Sequence, residues 1–247
     1  MDNLKSSKDI EKVGCKNYKR SKTISNFLQF NFDSLQKRQN IMIYRFLRRF
    51  DWKNKSYFNY RDEALNYFFH QHNCGYPPFT CTERIVELSI ADYWLNNVDD
   101  EVHEIGCVTP YYWPKRVDNI IDPFDNHLLN FHKKDLFDVD LNNKDVLSIS
   151  TIEHIGLKQY GQNSSFTACD AFQKITTESS SCLVTFPLGY NKLLDNFICD
   201  EYDKTINPSK FTYYKRLKNN LFSKSKFVKG NFSYGKRWAD NLLIYEK

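Results

Sequence analysis

The run SISTIEHIG, residues 148–156, places Ser150, Thr151, Glu153 and His154 within five positions. An imidazole near its ordinary pKa takes a proton readily at neutral pH, and a neighbouring carboxylate can orient it. Polar side chains following the apolar run DVLSI need hydrogen-bond partners if they are buried. A plainer reading stays open, in which Thr151 caps a helix and His154 packs in its first turn. Three further points upstream have the same character. Glu104-Ile105-Gly106 closes the run VHEI, and a glycine there lets the backbone turn sharply and approach a ligand. Asp122 stands eighteen residues after Glu104 at the end of DNII, where a carboxylate can accept both hydroxyls of a ribose. Asp135 follows an expected third strand at KKDLFD and could lie near a base, while Asp125 and Asp138 read equally well as turn caps.

These residues need a scaffold that brings strand ends together. Short apolar runs recur at VHEI, VDNII, DVLSIS, CLVTF and ADNLLIY, and Thr167–Thr177 supplies a helix between two of them. Strands that are apolar on both faces belong to an α/β domain with a mostly parallel sheet, and ligands then bind at the carboxyl ends of the strands. Upstream, TERIVELSIADYWLNN (82–97) predicts a helix capped by Thr82, with Ile85, Leu88, Tyr93 and Leu95 in its buried stripe. Arg84 and Glu87 lie one turn apart on it, at a spacing that permits an ion pair. Residues 25–50 read as one or two helices and 61–73 as another, ahead of the extended dipeptide Pro77-Pro78. The division expected is a basic, aromatic-rich helical extension or lid over 1–80 and an α/β domain over 81–247.

The net charge of +5 conceals a pattern, because residues 1–60 and 204–247 each carry +9 and residues 61–203 carry −13. Basic ends of this kind can be solvated helix faces or tails, can attract a small anionic substrate, or can meet nucleic acid. No run of 18 or more apolar residues is present, and the polar start lacks a secretory signal pattern. The seven cysteines include no CxxC pair and are odd in number, which points to reduced thiols in the cytoplasm.

Taken in order, TERIVELSIADYWL, VHEIGCVTPYY, NIIDPFD, KDVLSISTIEHIG, LVTFPLGYNKLLD and ADNLLIYEK resemble the class I S-adenosylmethionine-dependent methyltransferases. More narrowly, they resemble the small methyltransferase-like proteins of surface-polysaccharide biosynthesis clusters. The resemblance covers roughly residues 80–247 and implies a Rossmann-like fold with a mostly parallel seven-stranded sheet and an N-terminal helical extension. It implies that Glu104 and Gly106 belong to the turn under the methionine end of the cofactor. Asp122 matches the acid that holds the ribose, Asp135 and Leu136 flank adenine, and Ser150 faces the sulfur. Glu153 and His154 match a catalytic Glu-His pair, with His154 as base toward a hydroxyl acceptor. Arg84, Tyr190, Asn191 and Lys192 are candidates for the acceptor side. Glu153 could orient the imidazole or share a divalent metal, but Ile155 stands where a second histidine would be wanted, and a metal is not favoured. The connection 106–116 has only eleven residues with Pro110 and Pro114 among them, so any helix in it must be short.

The implied acceptor is a sugar or a phosphorylated, and so anionic, precursor of a surface polysaccharide. Two other readings compete. A methyltransferase fold that has lost its chemistry would act as a binding module. A nucleic-acid methyltransferase would use the basic ends, yet no Asn/Asp-Pro-Pro-Tyr-like run follows the fourth strand, so no specific nucleic-acid partner is expected. A nicotinamide dehydrogenase would need the glycines of GxGxxG, and GCVTPY offers only the first.

Overall fold

The computed structural model describes residues 57–68, 82–98, 101–114, 116–117, 119–124, 134–157, 165–201, 208–218, 221–230, 232–233 and 239–247. The helices expected within 25–50 lie outside these residues. The first described element is not the helix expected over 61–73 but a hairpin of β1 (Tyr57–Tyr60) and β2 (Glu63–Asn66). Its two-residue turn needs a positive φ, which Arg61 adopts at 50°. An ion pair from Arg61 to Glu246 at 2.9 Å holds that turn against the sheet. Phe58 and Tyr60 alternate inward and Tyr57 and Asn59 outward, the period of a strand with one buried face.

Helix α1 (Arg84–Leu95) follows with eight buried positions, including Glu87 and Ser89. Thr82 does not cap it; Glu83 occupies the N-cap position without a side-chain cap bond. Ile85 and Leu88 are buried as expected, whereas Tyr93 and Leu95 are half-buried. The sheet strands are β3 (Val102–Ile105), β4 (Asn119–Ile121), β5 (Asp145–Ile149), β6 (Ser181–Leu188), β7 (Phe211–Arg216), β8 (Phe222–Ser225) and β9 (Asn241–Glu246). Their order is β4-β3-β5-β6-β9-β7-β8. Only β4-β3-β5-β6 pair in parallel, and the neighbours from β6 through β9 and β7 to β8 are antiparallel. The sheet is therefore mixed rather than mostly parallel. The last strand inserts antiparallel between β6 and β7. Because β8 and β9 both run antiparallel to β7, they are parallel to each other, and the connection 226–240 has to return along the sheet.

Two further helices, α2 (Ala168–Glu178) and α3 (Lys192–Glu201), complete the described set of α-helices. α2 begins in a reciprocal capping box between Thr167 and Asp170, a device worth roughly 1 kcal/mol. The strands divide their side chains between two cores. Val146, Val184, Phe186, Leu243 and Tyr245 pack with Phe172, Ile175, Leu194 and Ile198 of α2 and α3. Leu147, Ile149, Leu183, Leu242 and Ile244 pack on the opposite face with α1 and with Phe58, Tyr60 and Tyr67 of the hairpin segment. Burial on both faces is why these strands read as continuous apolar runs. The hairpin is thus part of the domain's second core, tied down by hydrogen bonds from Tyr60 Oη to Glu246, from Tyr67 Oη to the Phe222 carbonyl, and from Tyr214 Oη to the Asn59 carbonyl.

KKDLFD forms no strand over its described residues, 134–138. Asp135 instead caps a 3-10 turn over Leu136–Asp138, its carboxylate accepting from Phe137 N. Among the described residues of the connection after β3, the helical element is the 3-10 turn Thr109–Tyr111, short as its prolines and length require. Among the described residues no helix is long and apolar enough to cross a membrane. Among the described cysteines, Cys169, Cys182 and Cys199 have free thiols.

Candidate active site

From β3 the chain crosses to β4 on one side and to β5 on the other, so the strand order reverses at the carboxyl ends of β3 and β5. Open α/β sheets bind ligands at such a switch point. A cavity of about 350 Å³ opens there, within the size range of small-molecule sites. Gly106, Asp122, Asp135 and Leu136 line it, with Thr151, His154 and Ile155 on the β5 side. Four of the six residues expected to hold a cofactor are thereby gathered around one space.

The other two lie elsewhere. Glu104 is fully buried under the turn, where its carboxylate accepts from Val108 N at 2.8 Å and Thr109 N at 2.9 Å and bonds the Thr109 hydroxyl. Burial pushes its pKa up to about 7, although those hydrogen bonds oppose the rise. Glu104 thus shapes the turn from below. It satisfies backbone donors that have no sheet partner, in a loop with a single glycine. That glycine is tightly constrained: Gly106 has φ +91°, and a Cβ on it would meet Thr151 Oγ1 at 2.2 Å. Ser150, the sixth residue, faces a second and smaller cavity of about 210 Å³.

Arg84, Ser150, Glu153, His154 and Tyr190 line this second space together with Glu83 and Gly189. His154 borders both cavities. The 3-10 turn Ile152–His154 presents it, and its ring meets the Tyr190 ring edge-on at 4.7 Å. Burial, and then the charge of Arg84, lower the His154 pKa to about 4. The imidazole is therefore neutral at neutral pH, and its 3.7 Å approach from Nε2 to Glu153 Oε1 is not an ion pair. Glu153 is 1% exposed, and burial raises its pKa well above the ordinary carboxylate value.

Beneath this cavity a polar cluster is closed by α1. Glu87 Oε1 accepts from Ser150 Oγ at 2.5 Å and from Thr185 Oγ1 at 2.7 Å. Arg84 reaches Glu87 Oε2 at 3.3 Å and donates to the Ile149 carbonyl at 3.2 Å. The Arg84–Glu87 pair is not a surface bridge, because Glu87 is fully buried. Removing either partner would leave an uncompensated charge there. These bonds also hold Ser150 at φ 40°, a left-handed conformation that costs a non-glycine residue on the order of 1–3 kcal/mol.

The remaining acceptor-side candidates divide. Asn191 is buried and engaged in the fold: its Nδ2 donates to the Glu153 carbonyl at 2.9 Å, and its Oδ1 accepts from Leu193 N and Leu194 N at the start of α3. It positions the Glu153 backbone. Lys192 is exposed on α3 and lines neither cavity. Sequence reasoning missed Thr185 and the inward role of Glu87. Thr185 is a polar residue inside the apolar strand β6, and that interruption was the available signal. Among the described residues no group of three or more His, Cys, Asp or Glu side chains is placed to hold a metal ion. No family model, curated protein or solved structure matches the chain.

Proposed function

We propose that the protein is an S-adenosylmethionine-dependent O-methyltransferase acting on a small molecule. The observation that carries this reading is His154 standing between two cavities at the switch point, one suited to a nucleoside and one to an acceptor. A dinucleotide-binding Rossmann sheet in the order 3-2-1-4-5-6 has no antiparallel strand corresponding to β9, which favours the methyltransferase over a dehydrogenase. The donor set of the larger cavity fits the cofactor. Asp122 can accept from ribose hydroxyls, Asp135 and Leu136 can address the purine, and Gly106 keeps the floor free of a side chain.

When bound, the sulfonium cofactor supplies an already activated methyl group. What is left to the chain is to seat it, align an acceptor oxygen with the methyl–sulfur axis and keep water out. His154, neutral at physiological pH, would take the acceptor hydroxyl's proton during the transfer that the cofactor would supply. Tyr190 backs the imidazole and Asn191 fixes the backbone of the residue before it.

Calorimetric titration with S-adenosylhomocysteine tests the reading. Binding near 1:1 is expected, weakened by about 1–3 kcal/mol in Asp122→Ala, the cost of leaving buried hydroxyls unpaired. Absence of heat at high micromolar ligand with folded protein refutes it.

A further inference from the structure

Ser150 has a backbone conformation that its own side chain opposes. Among the described residues three non-glycine residues have positive φ, and the other two, Arg61 and Asn143, sit in exposed turns. Ser150 is buried at the carboxyl end of β5, where a strained conformation persists only if the surroundings impose it. Two elements do so. From β6, the Thr185 carbonyl accepts from Ser150 N at 2.9 Å. From α1, Glu87 Oε1 accepts from Ser150 Oγ at 2.5 Å and from Thr185 Oγ1 at 2.7 Å. Arg84 completes the grip by joining Glu87 Oε2 to the Ile149 carbonyl.

The residues that follow inherit this placement. Thr151 Oγ1 donates back to the Ile149 carbonyl at 3.1 Å, and its side chain fills the space that a Cβ on Gly106 would need. The Thr151 carbonyl accepts from His154 N at 3.0 Å, the bond that closes the turn carrying the imidazole. Ser150 and His154 line the smaller cavity, and Thr151 and His154 the larger one. Glu87 lines neither and is fully buried. A glycine at position 150 would adopt this φ unaided, so the serine makes the turn depend on a carboxylate 63 residues away.

We infer that Glu87 is the positioning residue of this site: it holds Ser150 in the left-handed conformation, and thereby sets Thr151 against Gly106 and His154 between the two cavities. Its hold on the turn is independent of any reaction. Its effect on cofactor affinity rests on the methyltransferase reading.

Two readouts on the full chain test the inference. One is the NMR signals of the Gly106 amide and the His154 ring in the ligand-free protein, and the other is calorimetric affinity for S-adenosylhomocysteine. Glu87→Gln keeps an acceptor for both hydroxyls. Its signals should stay near the parent's and its affinity within about threefold, although it melts earlier because Arg84 loses its counter-charge. Glu87→Met removes the acceptor at similar volume, and should shift both signals and weaken binding at least about tenfold. Adding Ser150→Gly to Glu87→Met should bring back the signals and most of the affinity without restoring the thermal midpoint. Glycine takes positive φ by itself, while Arg84 stays unmatched.

Parent-like signals and affinity in folded Glu87→Met overturn the proposal. So does a Glu87→Gln variant as impaired as Glu87→Met, or a double variant that recovers nothing. If Glu87→Met does not fold, Ser150→Ala decides, because it removes one hydroxyl and leaves the Arg84–Glu87 pair in place. It should shift both signals, and unchanged signals overturn the proposal. A parent that does not bind S-adenosylhomocysteine would sink the methyltransferase reading alone, since the NMR signals still answer for Glu87.

Discussion

Gly106 and Thr151 touch across the switch point: a Cβ added to Gly106 would lie 2.2 Å from Thr151 Oγ1 and 2.7 Å from its Cγ2. The contact joins the ends of β3 and β5, and both residues line the larger cavity. Gly106 also has φ +91°, so two independent penalties oppose any side chain there.

Gly106→Ala should therefore destabilise the fold by about 1–3 kcal/mol and abolish S-adenosylhomocysteine binding. Thr151→Gly in the same chain relieves the clash but not the backbone strain. The double variant should regain part of the loss, and urea unfolding of all four proteins gives the coupling energy. Zero coupling would show that the two strand ends are not in contact.

Glu104 gives a pH signature. Its folded pKa, about 7, lies above the ordinary 4.5, so the stability it contributes is present below pH 4.5 and lost as pH rises through 7. The loss amounts to no more than about 3 kcal/mol. Glu104→Gln retains an acceptor for Val108 N and Thr109 N without the charge. Its urea midpoint should change less between pH 5 and pH 8 than that of the parent. Glu104→Ala should lose stability at both, by about 1–3 kcal/mol for the orphaned backbone donors.

What could be read in advance follows from what each residue must satisfy. β3, β4, β5, β6 and β9 were legible because burial on both faces leaves an apolar run, and the positions of Gly106, Asp122 and His154 around one cavity follow from where β3, β4 and β5 stop. β1 and β2 were hidden because the turn uses Arg61 at positive φ rather than Gly or Asn, and Glu63-Ala64-Leu65 are good helix formers. Asp135 looked like a strand end, but its carboxylate caps a 3-10 turn by accepting from Phe137 N while the residue still lines the larger cavity, and a single aspartate in the sequence does not announce the turn. Glu87 illustrates the limit of spacing. Its separation from Arg84 announces a pair, but its burial depends on Ser150 and Thr185, 63 and 98 residues away.

The hairpin yields a stability prediction. Phe58 is 4% exposed and packs against Tyr67 at 4.9 Å and Tyr214 at 5.6 Å between ring centroids. Phe58→Ala should cost about 3–5 kcal/mol. Because the ring belongs to the same core as α1 and β5, the loss should shift the main unfolding transition as a whole. A separate early transition with the main midpoint unchanged would show instead that the hairpin unfolds independently of the sheet.

His154 should combine a pH dependence with a kinetic effect. Its folded pKa, about 4, lies below the ordinary 6.5, so the stability it contributes is complete above pH 6.5 and disappears as pH falls through 4. Following the ring carbon-bound protons by NMR should give a midpoint below 5, and His154→Phe should flatten the acid side of the unfolding curve. Turnover, once an acceptor is in hand, should show no inflection near 6.5 from this group. His154→Ala should cut that turnover about 10²–10⁴-fold, the range general-base assistance supplies, while leaving S-adenosylhomocysteine affinity nearly unchanged. The two readouts separate chemistry from packing. A variant that melts earlier but turns over normally would place His154 in the wall between the cavities and leave the proton to another group. A measured pKa near 6.5 would mean that the ring is better solvated than its place against Tyr190 and Arg84 requires.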